Sequence, residues 1–252
     1  MTGEPHSADA GAPGGYEGRP MSDCILVTGA RKGLGRAAAE HYLALGWRVA
    51  GCSRSPSDLD HEHYRHFEVD VGDERAVVGM VRAIVRHSGP LKAVVNNAGV
   101  ASMNALLLTP GATVDKLLRT NTIGTFHVLR EAAKAMSRTG GGRIVNVTTV
   151  AAPLNLEGEA AYAMSKAAVE SLTRVAAREL ADYGVTVNAV GPTPVDTDLI
   201  KTVPRAKIDE LLQRQAIKRK GTVADVLNVI DFYLQPSSSF ITGQVIYLGG
   251  VS

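Results

Sequence analysis

Seven short apolar segments, separated by stretches of helical periodicity, narrow this chain to one kind of architecture. They are Cys24-Ile-Leu-Val-Thr-Gly29, Trp47-Arg-Val-Ala-Gly-Cys52, Tyr64 to Val69, Leu91 to Asn97, Arg143 to Thr148, Val185 to Val190 and Gln244 to Leu248. They read as apolar on both faces rather than alternating, the mark of strands covered by helices above and below. The segments between them read as helices: Gly33 to Leu45 closed by Gly46, Asp73 to His87 stopped by Gly89-Pro90, Thr113 to Ser137 broken by Gly140-Gly-Gly142, then Ala160 to Tyr183, Asp209 to Ile217 and Val223 to Leu234. The expectation is an α/β fold: one doubly wound parallel sheet of about seven strands, in three layers, over residues 22–252. A length of 252 residues with 45% hydrophobic composition suits one large domain rather than two.

A net charge of +2 gives no global nucleic-acid or membrane signature. No apolar run approaches the ~20 residues that a bilayer-spanning helix needs. Met1 to Pro20 lacks the apolar core of a signal peptide; rich in Gly, Pro, Ala and Ser, residues 1–21 read as a disordered tail. Because Met21 opens the first strand-like stretch, it is an alternative start of translation, which mass spectrometry of the natural protein would decide. The two cysteines, Cys24 and Cys52, sit at the start of one strand and the end of another, so they read as free thiols of a reducing cytoplasm.

Ligands of a doubly wound sheet bind beyond the C-terminal strand ends, so functional motifs belong just after strands. After the first strand comes Thr28-Gly-Ala-Arg-Lys-Gly-Leu-Gly35. In such a loop Gly29 permits the tight turn, Gly33 lets backbone approach a pyrophosphate and Gly35 allows close packing, while the N–H groups opening the helix bind phosphate. A glycine-rich turn without a ligand would look the same in isolation. The second pattern is Tyr162-Ala-Met-Ser-Lys166. Side chains four residues apart on a helix share a face. A lysine ammonium near a phenol favours the phenolate and brings its pKa down from ~10 toward a useful range. Alone, the pair is equally a solvated helix face.

Taken together, the glycine loop, Asn96-Asn-Ala-Gly99 after the fourth strand and Tyr162-x-x-x-Lys166 resemble the short-chain dehydrogenase/reductase family. The resemblance runs in order from about Cys24 to Leu248, and within the family the chain is most similar to the 3-oxoacyl-(acyl-carrier-protein) reductase type. Val187-Asn-Ala-Val-Gly-Pro192 and Phe240-Ile-Thr-Gly-Gln-Val245 are supporting marks. The resemblance implies a Rossmann-type fold, a nicotinamide cofactor, and a substrate lid at about residues 193–221.

An NAD site wants an acid at the end of the second strand to bond the ribose 2′-OH. Here that position holds Ser53, followed by Arg54. A carboxylate would repel a 2′-phosphate, whereas a guanidinium pairs with it, so NADP(H) is expected over NAD(H), with Arg31 or Lys32 as a second cation. The resemblance assigns Asp70 to the adenine amino group and sets Leu34 and Val71 against the cofactor. It places Asn97, Ala98 and Gly99 along the ribose and nicotinamide, and Pro192, Val195 and Thr197 at the carboxamide. Asn97 and Pro192 read equally well as turn residues.

For catalysis the resemblance implies a tetrad of Asn, Ser, Tyr and Lys. Asn121 would hold a water that feeds protons to the lysine, Tyr162 would protonate a carbonyl oxygen, and Lys166 would bind the ribose and keep the tyrosine acidic. The serine position holds Thr149, a departure: the hydroxyl is kept, but the extra methyl restricts χ1 and crowds the pocket. Thr149 either serves in the serine's place or attenuates catalysis. Thr148 points to the opposite face of the strand. A second departure is Thr193-Pro194, where the family has Gly, which stiffens the loop.

Two further features have bland readings beside sharp ones. His61-Glu-His63 with His66 has a metal-like composition but lies in the link from second to third strand, which reads as a solvated loop, and no metal is expected. Lys201 to Lys220 carries seven basic residues against Asp209 and Glu210, either a surface for an acyl carrier protein or acidic substrate, or an ordinary solvated helix. Gly140 and Tyr183 stand where carrier-dependent relatives have docking arginines, with Arg138 and Arg143 near in sequence as substitutes. The reading is therefore an NADPH-dependent reductase turning a ketone, β-ketoacyl or related, into a secondary alcohol. Its alternatives are a ketoreductase of a specialised pathway and a non-catalytic nucleotide sensor. A homotetramer is implied by the resemblance only.

Overall fold

The computed structural model describes residues 23–196 and 203–251. The tail of residues 1–21, the choice between Met1 and Met21, Lys201 and Thr197 lie outside them. All seven strands form: β1 (Cys24–Thr28), β2 (Arg48–Ser53), β3 (Tyr64–Glu68), β4 (Leu91–Asn96), β5 (Gly142–Val147), β6 (Val185–Gly191) and β7 (Val245–Tyr247). They pair in parallel in the order β3-β2-β1-β4-β5-β6-β7, so the direction of winding reverses beside β1. The connecting helices are α1 (Gly33–Ala44), α2 (Glu74–Ser88), α3 (Gly111–Leu117), α4 (Gly124–Met136), α5 (Ala151–Leu154), α6 (Ala160–Glu179), α7 (Arg205–Arg214) and α8 (Val223–Leu234).

The period-two geometry of a strand explains why β1, β4 and β5 carry apolar residues on both faces. Cys24, Leu26, Val94 and Ile144 face one core with α2, α4 and α6, whereas Ile25, Val27, Val95 and Val145 face the other with α1 and α8. Three layers follow, with two apolar cores and a sheet buried between them.

The structure departs from the expected elements in three places. The helix expected over Thr113 to Ser137 is divided: α3 passes through a π-helical segment, Leu118–Ile123, into α4. α6 ends at Glu179, and the rest of the expected Ala160 to Tyr183 helix is a 3-10 turn, Ala181–Tyr183, closed by Gly184 at φ 70°. The lid helix begins earlier and ends earlier than Asp209 to Ile217, because Pro204 caps its start and Gln215 turns inward. The short helix α5 and the 3-10 turns Leu106–Leu108 and Pro236–Ser238 were not expected. Residues 54–63, between β2 and β3, contain no helix. Among the described residues no helix is long and apolar enough to cross a membrane.

Candidate active site

A cavity of about 850 Å³ opens at the C-terminal ends of the strands. Gly29, Arg31, Lys32, Gly33, Leu34, Ser53, Arg54, Asp70, Val71, Asn97, Ala98, Gly99, Thr149, Tyr162, Lys166, Pro192 and Val195 all line it. Of the expected site residues, Gly35 and Asn121 stand behind the wall and Thr197 is outside the described residues.

The half beside β1 and β2 is a backbone cradle. Gly29 and Gly33 sit at φ 69° and 58°, where a side chain would be strained. A Cβ at position 35 would lie 2.3 Å from the Gly29 carbonyl oxygen, so only glycine lets α1 start this close to the loop. The N-cap residue Lys32 makes no side-chain cap, which leaves the first N–H groups of α1 available to an anion. Thr28 clasps the far wall: its hydroxyl accepts from the backbone N–H groups of Asn97 (3.0 Å) and Ala98 (2.9 Å), and its carbonyl accepts from Asn97 Nδ2 (2.9 Å). Asn97 thus joins the ends of β1 and β4. Asp70 accepts from the Gly72 N–H at 2.9 Å and makes the turn after β3. Arg54 projects, exposed, from the loop after β2.

The other half is built by β5, α6 and the π segment. Tyr162 and Lys166 are 9% and 5% exposed, one turn apart on α6, and both reach the cavity. The expected electrostatics are corrected here. Burial and the Glu159 carboxylate push the Tyr162 phenol up to about 12 rather than down, against a hydrogen bond from Thr149. Lys166 is itself pulled down to about 8 by burial, and its ammonium donates to the Val147 carbonyl at 2.7 Å. Thr149 Oγ1 accepts from the Ala151 N–H at 3.2 Å, which fixes the hydroxyl beside the phenol. Thr148 points away, donating to Glu170 at 2.8 Å, as the alternation of a strand requires.

Asn121 is fully buried in the π segment. Its Nδ2 donates to the Val100 carbonyl and to Ser165 Oγ, both at 2.9 Å, and its Oδ1 accepts from the Val100 N–H at 2.8 Å. Ser165 in turn donates to the Tyr162 carbonyl at 2.7 Å. The carboxamide thereby ties the loop after β4, the π segment and α6 together.

Thr193 has a partner that explains its presence. Its hydroxyl donates to Oε1 of the buried Gln215, whose Nε2 donates to the carbonyls of Ile217 (3.0 Å) and Arg219 (3.1 Å). The loop after β6 is thus bound to the C-terminal root of the lid, and the bridge between Val195 and Gly221 continues that contact. Most described cations of the basic run are engaged: Lys207 with Glu210 (3.0 Å), Arg219 with Asp225 (2.6 Å), Lys220 with Asp196 (3.4 Å), and Arg214 with the Leu154 carbonyl. Arg143 lies at the N-terminal end of β5, the opposite end of the strands from the cavity, and Arg138 lies on the turn just before that strand. Among the described residues no cluster of three or more His, Cys, Asp or Glu could hold a metal.

Sequence reasoning missed Thr28, Glu159, Ser165 and Gln215. Thr28 stood inside the Thr-Gly loop motif and could have been found there. Ser165 and Glu159 lie within one helical turn of Tyr162, where helix spacing could have found them, whereas Gln215 acts through a contact 22 residues away.

The model of a family described as Enoyl-(Acyl carrier protein) reductase matches residues 29–251. A 3-oxoacyl-[acyl-carrier-protein] reductase FabG of Staphylococcus epidermidis is 32% identical over 242 residues, covering 91% of this chain and 98% of that one. The 3-oxoacyl-[acyl-carrier-protein] reductase MabA of Mycobacterium bovis is 34% identical over 238 residues, 91% of this chain and 92% of its own. Among solved structures, the aldohexose dehydrogenase of Thermoplasma acidophilum superposes with a TM-score of 0.83 at 28% identity, over 91% of this chain and 93% of that one. ElxO with NADP bound does so at 0.83 and 30%, over 90% and 96%. The chain belongs to the short-chain dehydrogenase/reductase family, the NAD(P)-dependent oxidoreductases that act on carbonyl and hydroxyl groups.

Proposed function

We propose that the protein reduces a ketone to a secondary alcohol with NADP(H), using Tyr162 as the proton donor. The observation that carries this is the convergence of Tyr162, Thr149 and Lys166 in the same cavity as the glycine cradle. The cradle fits a dinucleotide: a Cβ at Gly29 or Gly35 would strike Asn97 or the loop backbone and push the loop from α1, and the start of α1 offers N–H donors. Ser53 and the exposed Arg54, with no acid between them, suit a 2′-phosphate better than a 2′-hydroxyl. When bound, the nicotinamide would supply the hydride.

The chain's own residues handle the oxygen. A phenol pushed up to about 12 keeps its proton at neutral pH, so Tyr162 is set to give a proton to a developing alkoxide. The Thr149 hydroxyl shares that oxygen as a second donor. Lys166, charged at neutral pH with a pKa of about 8, supplies positive charge beside the phenol once it turns from the Val147 carbonyl. Both N–H groups of the Asn121 carboxamide are taken by Val100 and Ser165, so this side chain has no donor left for a proton path.

On the substrate side the cavity is bounded by Leu156, Val203, Ile208 and Leu211, with Glu157, Glu159, Lys207, Glu210 and Arg214 among the charged groups around them. A compact keto compound of mainly apolar character fits that wall. A carrier-borne β-ketoacyl thioester is the second reading, supported by the names of the FabG and MabA relatives. Three cations of the basic run, Lys207, Arg219 and Lys220, are paired with carboxylates, which reduces the positive surface offered to an acidic carrier. The test is oxidation of NADPH and NADH by the purified protein against β-ketoacyl thioesters, simple ketones, quinones and cyclic ketones. Turnover with NADPH and at least one ketone is expected. Turnover with NADH alone would overturn the cofactor reading, and NADPH binding without any turnover would make the protein a nucleotide sensor.

A further inference from the structure

Beside Ser53 lies a cluster that neither the glycine loop nor the Tyr-Lys pair uses. Tyr64 and His66 project from the same face of β3, two residues apart, toward the end of β2. Gly51 makes this possible: a Cβ there would lie 2.1 Å from Tyr64 Oη, so the ring lies over bare backbone. Tyr64 Oη is 2.7 Å from His66 Nδ1, and His66 Nε2 is 2.9 Å from Ser53 Oγ and 3.1 Å from the Ser55 carbonyl oxygen. The Ser53 hydroxyl donates to that same carbonyl at 2.6 Å.

A neutral ring satisfies all of these contacts with one set of protons. The phenol donates to Nδ1, so the ring carries its proton on Nε2, which donates to Ser53 Oγ and the Ser55 carbonyl. Burial pushes the imidazole below its ordinary range, in keeping with a neutral ring at pH 7. The Ser55 carbonyl therefore has two donors, Ser53 and His66. If Ser53 rotates away, His66 still satisfies it.

We infer that His66 is a positioning residue for the 2′-phosphate: it holds the Ser55 carbonyl, freeing the Ser53 hydroxyl to donate to an anionic oxygen in the cavity. Ser53 and Ser55 both line that cavity, and Arg54 between them brings the charge. Tyr64 locks the tautomer on which this depends. A ribose 2′-hydroxyl gains less from the released donor than a phosphate does, so the arrangement favours NADP(H) over NAD(H). The inference rests on the NADP(H) reading above.

The test is equilibrium binding of NADPH, NADH, adenosine 2′,5′-bisphosphate and 5′-AMP, by cofactor fluorescence and calorimetry, without any turnover. His66→Ala should weaken NADPH and the bisphosphate by about tenfold, the size of one hydrogen bond to a charged group, and NADH and 5′-AMP by less than about twofold. His66→Gln, whose Nε2 can still donate to the Ser55 carbonyl, should recover most of the loss. Tyr64→Phe keeps the packing over Gly51 and should give a smaller loss in the same direction, which keeps the test open if His66→Ala folds poorly. In a Ser53→Ala background the His66 substitution should have no further effect on the bisphosphate. Equal weakening of all four ligands, or an unchanged ratio in both variants, would overturn the role of His66. A wild-type protein that binds the bisphosphate no better than 5′-AMP would instead overturn the NADP(H) reading itself.

Discussion

With its phenol pushed up to about 12, Tyr162 stays protonated across the whole working range of pH, and the group whose charge changes there is Lys166, at about 8. The ammonium is present below that value and lost as pH rises through it. The rate of ketone reduction should therefore be level from pH 6 to about 7.5 and fall above about 8, as the cation beside the phenol disappears; a pH profile of kcat/KM checks this. A profile that rises above pH 8 would remove Lys166 from the role. Tyr162→Phe should abolish turnover while leaving NADPH binding within about twofold, measured by cofactor fluorescence. Thr149→Ser, which keeps the hydroxyl and relieves the methyl, should preserve or raise kcat. Thr149→Val should lower it by about 10²-fold, as loss of a donor to a developing oxyanion does. Equal rates for the serine and valine variants would make Thr149 a packing residue only.

At the scale of elements, α7 is tied to the loop after β6 by the Thr193–Gln215 contact and by the Val195–Gly221 bridge. Removing the hydroxyl in Thr193→Val strands a buried carboxamide oxygen and should loosen the root of α7. The expected result is a substrate KM raised by about threefold to tenfold with kcat changed less, together with faster amide exchange in α7. The strands and most helices were legible because their apolar periods are strong, and the register of both cores follows from them. The π segment was not: one extra residue in a turn changes no composition and leaves the apolar spacing of Thr113 to Ser137 nearly intact. Yet that segment is what brings Asn121 to Val100 and Ser165. Thr193 likewise read as a stiff intruder until its partner, 22 residues away, was in view. The lysine's effect on the tyrosine was misjudged because sequence spacing reveals nothing about burial. Here burial displaces both pKa values away from the charged forms.

For the molecule as a whole, the π segment, α4 and α6 present Ile123, Phe126, Met164 and Val175 to the outside, each more than 40% exposed. Scattered apolar residues are ordinary on a surface, but four on these three segments are apolar area worth covering. We propose that copies of the chain associate through it. Sedimentation of the purified protein should show a dimer or tetramer, and Phe126→Glu should shift it toward monomer with the circular dichroism unchanged. A wild-type monomer at micromolar concentration would end the proposal.

Cys24 and Cys52 are the only cysteines of the chain, and both are wholly enclosed in the sheet with their thiols pushed up to about 12. Thiolate is the reactive form, so neither should react with a maleimide while the protein is folded. The natural chain is therefore a silent background for labelling. A cysteine placed on the exposed side of α7 would be its sole reactive thiol, and a dye there would report movement of the lid without any native cysteine having to be removed.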